Sequence, residues 1–146
     1  MKKILLIASF IFLSIVSFAQ NTEWESYRSQ VGKWDSYQQK WVYADMNYSV
    51  IPITFSKTEV RLQNKANSVF RIIEDDGVTE DYNNNGDKFK KNSWIAIDTE
   101  GRKCRISMIH FYSTEYDPLM FNVMYDDVLF RYYCRLANTI DSFNRQ

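Results

Sequence analysis

Residues 119–136 read LMFNVMYDDVLFRYYCRL, and this stretch decides the fold class. From Leu119 to Tyr125, alternate positions carry Phe121, Val123 and Tyr125. From Val128 to Leu136, one set of alternate positions holds Val128, Phe130, Tyr132, Cys134 and Leu136, and the other holds Leu129, Arg131, Tyr133 and Arg135. Successive side chains of a strand point to opposite faces, so a period of two reads as strand. Asp126 and Asp127 separate the two runs, as the loop of a hairpin would.

The same logic works outward toward the N-terminus. Trp94 to Asp98 and Lys103 to Tyr112 flank Thr99-Glu100-Gly101, where the glycine supplies the positive φ that such a loop needs. In the second run Cys104, Ile106 and Met108 oppose Arg105 and Ser107. Earlier still, Trp41 to Tyr43, Val50 to Phe55, Glu59 to Gln63 and Ser68 to Ile73 read as strands. Ser56-Lys57-Thr58 and Asn64 to Asn67 are the polar connections among them. Strands in succession with short loops predict a mainly β fold, an antiparallel meander forming a small barrel or curved sheet. A β-sandwich is the alternative. No internal repeat is visible.

Two N-terminal segments break the pattern. Asn21 to Val31 is expected to be a short helix packed across the sheet. Thr22 and Glu25 have capping-box spacing, Trp24, Tyr27 and Val31 recur at helical spacing, and Gly32 would end the helix. Before it, Lys2 and Lys3 precede an apolar run from Ile4 to Phe18, and Ser17-Phe18-Ala19 ends with small residues at −3 and −1. This is the layout of a secretory signal peptide, with cleavage between Ala19 and Gln20. The run is too short to span a bilayer comfortably. The expected organisation is a leader at 1–19, a single β domain at 20–136 and a C-terminal tail at 137–146, with a secreted or periplasmic mature chain that does not span the membrane.

Composition narrows the function classes. The 146 residues carry 18 basic and 18 acidic side chains, with no basic face of the kind that nucleic acid requires. Aromatic residues make up 16% of the chain, so rings must fill or line the interior. Cys104 and Cys134 both fall on apolar strand faces. In an oxidising compartment they are a disulfide candidate, and two buried thiols are the other reading.

No catalytic or metal constellation emerges. His110 is the sole histidine, which leaves no histidine cluster for zinc and reads as a pocket-lining or surface residue. The polar stretch from Glu74 to Ser93 reads as a loop; within it Asp81 to Asp87 follows the first half of a calcium loop, but Asn92 stands where a bidentate Glu is expected, so a solvated Asn-Gly loop between Ile73 and Trp94 is favoured. Glu115 and Asp117 flank Tyr116 in a Pro-containing loop and read as a solvated connection. Tyr112, Tyr116, Tyr125, Tyr132 and Tyr133 cluster in the last third, where rings could stack on a ligand and hydroxyls select it. Phe121, Tyr125, Phe130 and Tyr132, on one face of adjacent strands, are the candidate ligand-binding residues.

Gly32-Lys33-Trp34, at the start of the strand run, resembles the opening motif of lipocalin-like proteins of the calycin group. The resemblance implies an eight-stranded barrel whose mouth binds a small apolar molecule. It implies that Trp34 plugs the closed end, with Arg131 or Arg135 from the last strand packed over it. The expected function is a non-catalytic binding module for a small hydrophobic ligand, without cofactor. A protein–protein or inhibitor module acting through loops at the barrel end is the alternative, its partner unknown.

Overall fold

The computed structural model describes residues 22–112 and 119–136. The expected leader, the 137–146 tail and the Glu115–Asp117 loop lie outside them. Among the described residues nine strands follow in order: β1 (Thr22–Asp35), β2 (Lys40–Tyr43), β3 (Ile51–Phe55), β4 (Glu59–Leu62), β5 (Ser68–Tyr82), β6 (Lys88–Ile97), β7 (Lys103–Phe111), β8 (Leu119–Met124) and β9 (Val128–Leu136). Consecutive strands from β3 to β9 pair antiparallel, and β1 pairs with both β3 and β9. Eight strands thereby close a barrel, and β2 extends it as an extra strand on the C-terminal half of β1. The expected antiparallel meander is therefore a closed barrel, not a sandwich.

The expected helix is not present among the described residues. Asn21 falls outside them, and Thr22 onward forms β1. The register of β1 against β9 slips between Ser26 and Arg28, a β-bulge at Tyr27. Such a bulge inserts one unpaired residue and resets which side chains face inward. Trp24 packs on the core before it, and Ser29 and Val31 pair with inward Tyr132 and Phe130 after it. Trp24 and Val31, inward on either side of the bulge, lie seven residues apart and with the bulged Tyr27 between them imitate two helical turns.

Gly32 is likewise not a helix stop. It pairs with Tyr43, and a Cβ there would come within 3.0 Å of the Tyr43 ring. The bare backbone lets that ring lie across the strand. Trp34 alternates with Gly32 and so shares its outer face; it is 39% exposed and meets Trp41 edge-on at 5.4 Å. The expectation that Trp34 plugs the barrel is corrected accordingly. Neither arginine packs over it. Arg131 stacks on Tyr43 at 4.9 Å, and Arg135 stacks on Tyr27 at 5.1 Å with Glu25 an ion-pair distance of 3.7 Å away.

The core runs through the barrel: Ile53, Val60, Leu62, Phe70, Ala96, Ile106, Phe121 and Val123 are buried. Phe121 is the largest fully buried side chain and meets Phe55 at 5.7 Å and Tyr132 at 6.0 Å. Cys104 and Cys134 are buried and unbonded, which removes the disulfide candidate. The register gives the reason. Cys104 stands next to Arg105, which pairs with Met124 at one end of β8, whereas Cys134 pairs with Leu119 at the other. Roughly 20 Å of strand separates those ends at about 3.3 Å per residue, far beyond the reach of a disulfide. Burial pushes the thiols up, Cys104 to about 11 and Cys134 to about 12.

β5 and β6 are longer than the sequence suggests. The polar stretch from Glu74 to Ser93, expected as a loop, is mostly a hairpin arm in which Glu80 pairs with Lys90 and Tyr82 with Lys88. Only Asn83 to Asp87 turns. Asn83 Oδ1 accepts from the Asn85 and Asp87 amides, and Gly86 takes φ 82°.

Candidate functional site

Three loops meet at one end of the barrel: Asn64–Asn67 between β4 and β5, Asp98–Arg102 between β6 and β7, and Tyr125–Asp127 between β8 and β9. They surround a cavity of about 310 Å³. Its apolar wall is Phe70, Val123, Phe130 and Tyr132, and its rim includes Asn64, Ser68, Asp98 and Arg102.

The rim is built by local turn chemistry. Asp98 Oδ1 accepts from the amides of Glu100 at 3.0 Å and Arg102 at 2.8 Å, and Gly101 at φ 80° donates its amide to the Asp98 carbonyl. Asp98 Oδ2 accepts from Arg102 Nε at 3.0 Å and from the Tyr125 hydroxyl at 2.7 Å. Arg102 lies over the Tyr125 ring at 5.0 Å and reaches Glu100 at 3.3 Å. Burial acts to raise the Asp98 pKa, but the hydrogen bonds from Tyr125 and the Arg102 and Glu100 amides outweigh it and hold the carboxyl below its usual range. Burial and the Asp98 hydrogen bond raise the Tyr125 hydroxyl in turn. Both groups keep one protonation state at neutral pH, so the rim presents a fixed carboxylate paired with Arg102 and the Tyr125 hydroxyl.

Alternation along β8 and β9 sets the wall. Tyr125 closes the two-residue turn through its amide to the Val128 carbonyl and packs against Phe130 at 6.3 Å. Tyr132 is 8% exposed, and burial pushes its hydroxyl up to about 12. Of the four candidate residues, Tyr125, Phe130 and Tyr132 line the cavity. Phe121 lies beneath them in the core. Of the other tyrosines, Tyr112 is half-exposed and Tyr133 stands on the outer face under Arg28, at 4.2 Å. Tyr116 lies outside the described residues. His110 is exposed and stacks on Tyr112 at 5.0 Å.

Sequence reasoning missed Asp98, Arg102, Asn64, Ser68 and Phe70 as mouth residues. Asp98-x-x-Gly101 is a turn signature that fixes an Asp side chain over its own loop. It could have placed the carboxylate; the joining of three loops is a property of barrel closure.

A family model described as a family of unknown function, DUF6705, matches residues 1–87. No curated protein matches the chain, and no solved structure does. The chain belongs to that family of unknown function.

Proposed function

We propose that this member of DUF6705 is a non-catalytic binding module that works outside the cytoplasm and takes a small hydrophobic ligand in the barrel mouth. One observation carries the reading: an apolar cavity wall of Phe70, Val123, Phe130 and Tyr132 under a polar rim held by Asp98. Ligand sites combine such a wall with a few fixed polar groups, and about 300 Å³ is the lower end of their usual size. The Lys2-to-Ala19 leader supports export. Tyr125, Phe130 and Tyr132 are the proposed contact residues, with Phe121 as the floor behind them.

The test is titration with N-phenyl-1-naphthylamine, a neutral fluorophore that brightens in apolar sites. Saturable one-to-one binding is expected. Ala66→Trp, on the exposed loop at the mouth, should abolish it while leaving the melting temperature within a few degrees. Binding that persists in this variant would remove the mouth as the site.

A protein-interaction role has one observation in its favour. Tyr37, Val42, Tyr43, Tyr48 and Val50 are exposed on β2 and its flanking loops, with Arg131 against Tyr43. Tyr and Arg dominate binding hot spots. No probe binding, together with a pull-down from the native host lost on Tyr37→Ser and Tyr48→Ser, would favour it.

A further inference from the structure

The barrel has a second concavity, at the end opposite the mouth. It holds about 180 Å³ and is lined by Trp24 of β1, Phe55 of β3, Asn92 and Trp94 of β6, and Met108 of β7. Phe55 and Trp94 rings meet at 5.3 Å with a tilt of 52°. Four apolar walls and one carboxamide make this slot unlike the mouth, whose apolar wall sits under a charged rim. Phe121, in contact with Phe55 on one side and Tyr132 on the other, separates the two.

Asn92 is the anomaly. It sits on a strand among apolar side chains, opposite Met108. Its Oδ1 is sealed from solvent and accepts no hydrogen bond. A buried acceptor without a partner loses its hydration with nothing in return. Native proteins keep few such groups, and each calls for a reason.

We propose that this slot binds a neutral, single-ring molecule carrying one hydrogen-bond donor, with the ring among Trp24, Phe55, Trp94 and Met108 and the donor on Asn92 Oδ1. Size sets the single ring: an apolar cavity of about 150 Å³ accepts benzene. Charge sets neutrality. Lys90 and His110 stand two residues further along the register that carries Asn92 and Met108, and Asp75 pairs with Trp94. Lys90 pairs across the strands with Glu80, and Asp75 carries the sign opposite to the lysine, so the slot gives no net preference to an ion. Selectivity comes from the carboxamide. A site built around a buried hydrogen-bonding group discriminates against an isostere that leaves it unpaired.

Phenol and toluene, equal in ring and near-equal in size, are the probes. The readout is the Trp24 and Trp94 indole N–H resonances of the purified protein. Phenol is expected to shift both and to bind at least about tenfold tighter than toluene, a difference of about 1.4 kcal/mol. Ala66→Trp should leave these shifts intact while blocking the mouth, so failure of one site is read separately from failure of the other. Asn92→Leu should raise the melting temperature of the free protein and abolish or reverse the preference for phenol. The proposal is overturned if neither probe moves the two indoles. Equal affinity for phenol and toluene in the wild type overturns it as well. So does an Asn92→Leu protein that melts lower or does not fold, because the carboxamide would then be serving the fold.

Discussion

The Asp98 carboxylate accepts four hydrogen bonds, from the Glu100 and Arg102 amides, Arg102 Nε and the Tyr125 hydroxyl. It ties the β6–β7 turn to the end of β8, and so one loop of the mouth to another. A hydrogen bond to a charged acceptor contributes about 1.5–3 kcal/mol. Tyr125→Phe should therefore lower stability by about 1–2 kcal/mol, measured as a drop in urea midpoint at pH 7. The pH dependence follows from the direction of the Asp98 shift. Its folded pKa lies below the ordinary value of 3.8, so its contribution is complete above that value and lost as pH falls below it. Between pH 5 and pH 2.5 the wild type should lose more stability than Asp98→Asn, which has no carboxyl to titrate. Parallel pH profiles would show that Asp98 is not held ionised. At this scale the wall residues were legible, because period-two alternation puts Phe130 and Tyr132 on one face without reference to the rest of the chain. Asn92 was not: beside Asp81 and Asn85 it reads as a failed calcium ligand, and only pairing with Met108 places it among rings.

Strands and turns were legible wherever the alternation was uninterrupted, as in β7 to β9, and misread wherever a bulge intervened. One extra residue at Tyr27 exchanges the faces of β1, so the inward set becomes Trp24, Ser26, Ser29 and Val31. Half of that set is serine, and the apolar remainder mimics a helix. β5 slips twice, between Ile72 and Glu74 and between Asp75 and Val78. Its outer half carries Glu74, Asp75, Asp76, Glu80 and Asp81, which are poor strand formers. Cross-strand cations overcome that. Lys88 lies 3.6 Å from Glu80, and Arg105 lies 3.2 Å from Asp76. Among the described residues β4 covers only Ser68–Arg71 of this strand, leaving the rest of its outer side as an open sheet edge. Bulges and charges are how natural sheets keep such edges from pairing with another chain. The triple substitution Glu74→Thr, Asp76→Thr and Glu80→Thr keeps the strand and removes three charges. It should produce concentration-dependent association beyond that of the wild type in sedimentation velocity runs. Unchanged sedimentation would mean that the bulges alone protect the edge.

Across the whole molecule, closure is the feature that local sequence could not supply. β1 and β9 seal the barrel although Trp24 and Leu136 are far apart in the chain, and the same seam brings the mouth loops into a ring. Closure also divides the interior. The ring of Phe121 spans the gap between Phe55, at the Trp24–Trp94 end, and Tyr132, at the mouth. With Phe121 fully buried between them, neither ligand should sense the other. A naphthylamine titration repeated at saturating phenol should return the same affinity. Phe121→Ala removes the plug. Truncating a buried phenylalanine costs about 3–5 kcal/mol, because the surroundings only partly collapse into the space. That loss can exceed what a small domain holds, so Phe121→Leu, which keeps most of the volume, is the companion variant. In Phe121→Ala, if it folds, one continuous lumen should let phenol and the fluorophore compete, while in Phe121→Leu they should stay independent. Competition already present in the wild type would show that the interior is one cavity and that Phe121 does not partition it. If Phe121→Ala and Phe121→Leu both cost under about 1 kcal/mol, Phe121 would not be the packed centre that its complete burial implies.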